Sequence, residues 1–500
     1  MKSINKTHEV IRLVKTLSGP EKRYFKLYCK KQAGQKVYLD LFEIISQQSS
    51  ENPEKIKKKF CRKHPEKSFE NNAHYLLKII TDALVDIGIG NDKWYQQYQS
   101  IMRSKILFER SLTKEGYKEI KKAQQLAEEI QDNLTLFQSY RLELNHLSKF
   151  GFENMEEKDL VEIQMKSKNH LRQLHLLQEH SSLYETLRLR LIKSGRSFSK
   201  SDTDKLNDLL ISELSLITRG SQQNFESQKI HLLFQSFFLT HTGQFKSALK
   251  SFRELNNLFE DNIHLWSFPP FDYLFTLEGI LDNLRTIGFY DEIYFYLDKL
   301  ENLLKNKYPD YFKTIASQTI YIYKLHLLIN FSTISEAIQF ANSIPPELLE
   351  NEFLVGYEER TELMFYIGLV YFSNGELNKA HKQMAKITAF GKVKEASSAF
   401  KVAWLTHILI HYELDNLDFL DYEIRSYKRA FANIGKTLKI ENLIFKTIRH
   451  DPKRKNFASN LKLWSKIENS LEEVNQNSYE MQLLKYYDFG SWIKNKLNQE

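Results

Sequence analysis

The segment 361–388 constrains the fold of this chain more than any other. It places Gly368 seven residues before Gly375, and three apolar residues follow Gly375 at offsets of two, five and nine: Leu377, Ala380 and Met384. Small residues at Gly368 and Ala380 allow two helix backbones to approach closely. The segment therefore predicts a helix, a tight turn at Gly375, and a second helix that packs against the first.

The composition supports helices throughout the chain. Glycine (17) and proline (9) are scarce for 500 residues, which argues against the many turns of an all-β fold. With 42% hydrophobic and 27% charged residues, the chain has the composition of a globular protein and not of a disordered one. We therefore expect an all-α fold.

The turn-and-helix spacing of 361–388 recurs along the C-terminal half. The turn positions are Gly243, Gly288, Ser332, Gly375 and Asp415, separated by 45, 44, 43 and 40 residues. After Gly243, for example, Phe245, Ala248 and Phe252 occupy the same offsets. This pattern resembles the tetratricopeptide repeat (TPR), a helical hairpin used in protein interaction. The usual repeat is about 34 residues long, so longer helices or connections are expected here.

The resemblance implies a TPR-like α-solenoid, a right-handed stack of antiparallel hairpins. In that family the first helix of each hairpin lines a concave groove that binds peptides, and the corresponding positions include Phe275 and Glu362. From this groove we select as binding residues Glu278, Asp282, Arg285, His326, Asn330, Phe372 and Tyr412. A simpler alternative is that Glu278 or Asp282 forms a surface ion pair with Arg285.

Four regions are predicted. Residues 1–90 form a basic helical domain with helices near 5–17, 20–31, 36–48, 53–63 and 69–87, the last ended by Gly88 and Gly90. Residues 91–224 form irregular helical hairpins, 225–435 the TPR-like solenoid, and 436–500 a C-terminal helical cap, with helices near 437–448, 457–473 and 478–497. Residues 17–28 (LSGPEKRYFKLY) resemble the opening of a group of uncharacterised bacterial repeat proteins.

The positive charge is concentrated at the N-terminus. Residues 1–70 hold 17 Lys and Arg against 8 Asp and Glu, so the rest of the chain is close to neutral. A cluster lies on one short helix: Lys55, Lys57, Lys58, Lys59, Arg62 and Lys63. Helices 53–63 and 69–87 could form a helix-turn-helix that contacts nucleic acid. A solvated lysine-rich face and an acidic protein partner are the other interpretations.

Motifs that carry chemistry are scarce. The sequence contains no phosphate-binding glycine loop, nucleophile elbow or HExxH zinc motif. His407 and His411 have a spacing that can hold a metal, but both fall at packing positions without an acidic or cysteine partner at a telling spacing, so no metal site is predicted. His170, His175 and His180 recur in steps of five, which points them in different directions on a solvated face.

The expected function follows from these observations. The two cysteines, Cys29 and Cys61, and the absence of a signal peptide or apolar membrane span indicate a cytoplasmic protein. We expect a non-enzymatic scaffold without a cofactor, which binds a protein or peptide in the groove. The alternative is a nucleic-acid-binding or transcription-regulatory protein with a basic head and a TPR-like sensor. Oligomeric state is not predicted.

Overall fold

The structure, a computed structural model, describes residues 6–30, 36–47, 53–152, 155–194, 204, 206–217, 224–350, 356–389, 397–432, 437–450 and 461–497. These residues form helices and connecting turns and contain no strand, so the all-α prediction is confirmed for them. The chain divides into two compact units, 1–178 with 308–311, and 179–307 with 312–500. The predicted boundary at 435/436 lies outside the described residues.

The first unit is built of helices, and the first four of them match the predicted bounds to within one residue. The helices are α1 (Lys6–Thr16), α2 (Gly19–Lys30), α3 (Val37–Gln47), α4 (Pro53–Lys63), α5 (Phe69–Asn91), α6 (Lys93–Glu109), α7 (Thr113–Glu129), α8 (Asn133–Lys149) and the first part of α9 (Glu157–Ser194). In α4 the buried residues Ile56 and Phe60 are four apart, so one stripe faces the core and the lysines face outward. Ser18 and Glu21 cap the second helix, since the Ser18 amide donates to Glu21 Oε2 at 2.7 Å.

The end of α5 differs from the prediction. Gly88 and Gly90 do not end the helix, which continues to Asn91 before Asp92 caps α6. A Cβ added at Gly88 would lie 2.8 Å from the ring of Tyr95. Gly88 is therefore needed for the close approach of the Tyr95 ring and not for a helix stop.

One turn geometry separates many consecutive helices. The described turn residues with left-handed φ are Ser111, Gln131, Gly151, Phe152, Gly243, Gly288, Gly375 and Asp415. At Gly375, the amide of Glu376 donates to the carbonyl of Tyr371 at 2.9 Å and closes the helix end. Four predicted turn positions are thereby confirmed. The turns at Ser111 and Gln131 lie in the region predicted as irregular helical hairpins, and Ser332 separates two helices without left-handed φ.

The second unit continues the succession of packed helices. After the remainder of α9 come α10 (Asn207–Ile217), α11 (Phe225–His241), α12 (Phe245–Asp261), a 3-10 turn (Ile263–Leu265), α13 (Phe271–Ile287), α14 (Tyr290–Leu304), α15 (Asp310–Phe331), α16 (Ile334–Asn342), α17 (Glu347–Glu350), α18 (Tyr357–Ser373), α19 (Leu377–Thr388), α20 (Ser398–Glu413), α21 (Leu417–Phe431), α22 (Lys439–Arg449), α23 (Leu461–Asn475), α24 (Met481–Leu484) and α25 (Phe489–Leu497). Consecutive helices pack on each other from α11 to α14 and from α18 to α21.

The segment 361–388 forms the expected pair of packed helices, α18 and α19. A Cβ added at Gly368 would lie 2.7 Å from Cε of Met384, and Ala380 is fully buried. Nothing lies within 4 Å of a Cβ added at Gly375, so this glycine is required only by its φ of +76°. The two glycines therefore have different roles, one in packing and one in the turn.

Helix α9 corrects two predictions. It is a single helix of 38 residues in the region where irregular helical hairpins were predicted. Of its three predicted surface histidines only His175 is exposed, because His180 is only 1% exposed and hydrogen-bonds Glu213. His170 is half-buried and stacks on the ring of Tyr140. Both rings lie under neighbouring helices that the local pattern does not reveal.

The C-terminal segment also departs from its predicted form. The helix expected over 478–497 is divided into α24 and α25 by residues 485–488. Helix α24 contacts α13 and α20, while α25 packs on α22 and α23. The break lets residues between the two short helices reach α13, far earlier in the sequence. Among the helices described, none has the length and apolar character needed to cross a bilayer.

Candidate functional site

A cavity of about 570 Å³ lies within the second unit. Its walls come from α11, α13, α15 and α18, together with residues 478–486 of the C-terminal segment. Three of the predicted groove residues line it: Glu278, Asp282 and Arg285. They lie at i, i+4 and i+7 of α13, so a single helix face carries them into the wall.

Arg285 is the most buried charge at this site. It lies in the last turn of α13, where a cation is favourable to the helix dipole, and is 2% exposed. Its Nη1 donates to Glu362 at 2.5 Å and to the Tyr366 hydroxyl at 2.9 Å. Its Nη2 donates to Asp282 at 2.8 Å. Because two carboxylates and a hydroxyl accept from it, the guanidinium is held in one position.

Aromatic rings enclose the same guanidinium. The carbon at its centre lies 4.9 Å from the ring centroid of Tyr323 and 4.7 Å from that of Tyr486. Burial opposes the charged form, but Glu362 and the other anionic neighbours outweigh it and keep the pKa of Arg285 well above its usual value. The site therefore has a permanent cation whose charge is already balanced by α13 and α18.

Glu278 provides a carboxyl group with a raised pKa. The Thr319 hydroxyl donates to its Oε1. Burial raises the pKa of Glu278 from 4.5 to about 8, against the hydrogen bond from Thr319 and with help from Glu359 and Glu362. At neutral pH the group is therefore mostly protonated, and it can both donate and accept a hydrogen bond in the cavity.

Glu278→Gln is expected to remove a pH dependence of stability. Because the folded chain holds this proton up to pH about 8 and the unfolded chain only to about 4.5, the wild type loses stability as pH rises through that window. The size of the pKa shift of Glu278 sets an upper bound of about 5 kcal/mol on this loss in the free energy of unfolding. Thermal unfolding at pH 5 should give similar midpoints for both proteins, and at pH 9 the variant should be more stable. Glu292→Gln on the exposed side of α14 serves as the control; equal pH profiles for Glu278→Gln and wild type would contradict the prediction.

The other predicted groove residues are placed differently. His326 lies behind the cavity wall, where its Nδ1 is 3.2 Å from the Tyr366 hydroxyl. Burial lowers the pKa of His326 to about 3, with a smaller effect of Arg285, so the ring is neutral. Asn330 donates to the carbonyl of His326 on its own helix at 2.7 Å. These two residues support α15 and do not line the cavity.

Phe372 and Tyr412 contact the chain's own C-terminal segment. The ring of Phe372 lies 6.2 Å from that of Tyr487, and the ring of Tyr412 lies 5.7 Å from that of Trp492. Next to Tyr412, Glu413 accepts a hydrogen bond from Trp492 Nε1 at 3.0 Å. Two of the positions that the resemblance assigned to a peptide groove, Phe372 on α18 and Tyr412 on α20, therefore contact residues 487–492.

The same segment supplies site residues that the sequence did not predict. Lys485 donates to both carboxylate oxygens of Asp282 at 2.6 and 2.7 Å, and Tyr486 packs on Arg285. Lys485 and Asp282 are 203 residues apart, and no repeat pattern extends to Lys485. Tyr366 lies in the segment 361–388, but Arg285, which donates a hydrogen bond to its hydroxyl group, belongs to another helix pair. No local signal could have joined these residues.

The basic N-terminal residues lie on α4 in the first unit. All six are exposed: Lys55, Lys57, Lys58, Lys59, Arg62 and Lys63. Lys57 pairs with Glu70 at 2.5 Å and Lys63 with Asp40 at 2.6 Å. Asp40 and Glu43 on α3 also share a shallow depression with Lys59 and Arg62. This surface therefore carries charges of both signs, which the sequence of α4 alone did not reveal.

What the second unit can do chemically follows from its contacts. The cavity offers a neutral carboxyl group, a fixed cation with its anions, and aromatic walls, an arrangement suited to binding a polar ligand by hydrogen bonds and ring contacts.

A scan with protein-family models gives no match to the chain, and a search among curated proteins finds no similar sequence.

Proposed function

We propose that the second unit is a non-enzymatic scaffold that binds a protein or peptide partner in the cavity beside Glu278 and Asp282. The observation that supports this proposal is the set of contacts that the predicted groove residues make with the chain's own C-terminal segment. They hold it with an ion pair between Lys485 and Asp282 and with ring contacts such as Tyr412 on Trp492. These are the contacts by which helical grooves recognise peptides.

We also propose that residues 225–435 form a TPR-like solenoid, with 436–500 as its helical cap. Support comes from the recurring turns at intervals of 40 to 45 residues and from the packing of consecutive helices. A cytoplasmic location is proposed with it, because Cys29 and Cys61 are free thiols.

The charge of the cavity favours a cationic partner segment. The acidic side chains along its walls are Asp272, Glu278, Asp282, Glu358, Glu359 and Glu362, while the lysines and arginines are Arg188, Arg285 and Lys485. Even with Glu278 protonated, carboxylates outnumber cations. The wall also exposes the ring of Phe275, which is 47% accessible. A peptide with a basic residue next to an aromatic residue, as in Lys485–Tyr486, matches these features.

Selection from a random peptide library displayed on phage tests this proposal. We expect enrichment of peptides that pair lysine or arginine with an aromatic residue. The dissociation constant of a selected peptide, measured by fluorescence anisotropy, should rise about tenfold in Phe275→Ala, because part of a ring contact worth about 1.5–3 kcal/mol when fully buried is lost. Phe289→Ala is the matched control, since Phe289 is similarly exposed at 46% and lies outside the cavity. Absence of enrichment, or equal affinity in Phe275→Ala and wild type, would contradict the proposal.

The nucleic-acid alternative predicts a different result. Binding of mixed-sequence RNA or DNA should weaken steeply with salt and be lost when Lys57, Lys58, Lys59 and Lys63 are neutralised together. Two of these lysines already pair with acidic residues of the first unit. Nucleic-acid binding that depends on the four lysines, together with a failed peptide selection, would replace the scaffold proposal by this alternative.

A further inference from the structure

Three histidine side chains meet between two consecutive helices of the second unit. His407 and His411 are four residues apart on α20, and His381 comes from α19, which packs on α20. One ring nitrogen from each lies within 4.8 Å of the others. The Nε2 of His407 is 3.0 Å from the Nδ1 of His381. The ring centroids are 4.6 to 5.0 Å apart in all three pairs.

Each of the two histidines of α20 has a buried ring nitrogen without a hydrogen-bond partner. Each is only 4% exposed. The Nδ1 atoms of His407 and His411 have no hydrogen-bond partner among the described residues. Buried polar atoms are nearly always paired, so hydrogen bonds within the protein do not account for three imidazoles at this place. Packing alone would be served better by apolar side chains, as in the neighbouring residues Ile408 and Ile410, which are fully buried.

A neutral imidazole has a lone pair on one ring nitrogen, which can bind a metal ion. His381 is partly exposed, so an ion can reach the cluster from solvent.

We propose that His381, His407 and His411 bind one divalent transition-metal ion, with Zn²⁺ as the preferred ion. Tetrahedral Zn²⁺ with Zn–N bonds of about 2.0–2.1 Å places its ligand nitrogens about 3.4 Å apart. The observed 3.0 Å between His407 and His381 is close to this value, and the largest separation of 4.8 Å needs only a modest rotation of a ring. Three imidazoles favour Zn²⁺, Co²⁺, Ni²⁺ or Cu²⁺ over Mg²⁺ and Ca²⁺, which prefer oxygen ligands.

The surroundings indicate what such a site would do. The ring of Phe419 stacks on His411 with centroids 5.8 Å apart and shields one side of the cluster. The ion would join α19 to α20 and leave a fourth coordination position for water. Because it would bind the folded chain in preference to the unfolded chain, the ion would stabilise the fold by an amount that grows with the logarithm of its concentration above the dissociation constant.

Calorimetric titration of the untagged full chain, freed of metal by chelation, tests the proposal. We expect one Zn²⁺ per chain with a dissociation constant of about 1 μM or below, no binding of Mg²⁺, and visible absorption with Co²⁺ typical of a low-coordinate site. His381→Ala should weaken Zn²⁺ binding at least 100-fold and abolish the rise in melting temperature on adding Zn²⁺. His381 is the primary variant because it is partly exposed, whereas removal of His407 or His411 also disturbs the packing.

His264→Ala is the matched control, since His264 is exposed and lies in the 3-10 turn away from the cluster. It should bind Zn²⁺ as the wild type does. Failure of the wild type to bind Zn²⁺ stoichiometrically, or equal Zn²⁺ affinity in His381→Ala and wild type, would overturn the proposal.

Discussion

Arg285→Leu is expected to lower the free energy of unfolding by about 3–5 kcal/mol. The substitution removes the cation that donates a hydrogen bond to Glu362 and balances its charge, and the Glu362 side chain is only 13% exposed. It also leaves the Tyr366 hydroxyl without its donor and removes the ring contacts to Tyr323 and Tyr486. A buried carboxylate without its partner costs far more than the lost ion pair itself. Urea titration followed by circular dichroism measures the effect.

Two further variants show whether the loss in the free energy of unfolding comes from the Glu362 carboxylate that is left without its cation. Adding Glu362→Leu to Arg285→Leu should restore part of the stability, because the uncompensated charge is gone. Arg253→Leu is the control, since Arg253 pairs with Glu292 on the surface with both side chains 40% or more exposed. It should cost at most about 1 kcal/mol. A loss of similar size for Arg253→Leu and Arg285→Leu would rule out this account.

Glu213→Leu is expected to be about as damaging, at about 3–5 kcal/mol. Glu213 lies on α10 and is 1% exposed. Its carboxylate accepts from His180 of α9 at 3.3 Å and from His231 of α11 at 2.6 Å. One buried group thus joins three helices, and an apolar replacement leaves two buried imidazoles without their acceptor. Denaturant unfolding with the same probe provides the comparison with the wild type.

The pH dependence identifies the role of Glu213 more specifically. Burial raises the pKa of Glu213, but the hydrogen bonds from His180 and His231 outweigh it and leave the pKa below its usual 4.5. The stabilisation is therefore present above pH 4.5 and is lost as pH falls through the folded pKa. The difference between wild type and Glu213→Gln should shrink below that pH. Asp208→Asn, on the same helix with an exposed pair to Arg190, should change stability by at most about 1 kcal/mol.

Part of the cavity lining could be predicted from the sequence, but not the C-terminal residues that complete it. Glu278, Asp282 and Arg285 line the cavity because their spacing places them on one helix face, and spacing is readable in sequence. Lys485 and Tyr486 could not be found, since the contact depends on where a break between two short helices lies in space. The same holds for His381, which joins His407 only because α19 packs on α20.

What the sequence determined by itself is the local structure. Apolar periodicity and caps predicted the helices of residues 1–63 to within two residues. Glycine or a small polar residue marked the turns at positions such as Gly243 and Gly375. These signals act within four or five residues along the chain, so no distant contact is needed to interpret them.

Only the tertiary structure decided which charges are buried and with what. His180 and Arg285 stand in sequence contexts that fit solvent-exposed side chains, yet both are at most 2% exposed. The pKa of Glu278 depends on burial by helices that are far apart in the sequence. Desolvation and ion pairing depend on which residues are close in space. The sequence shows only which residues are adjacent along the chain.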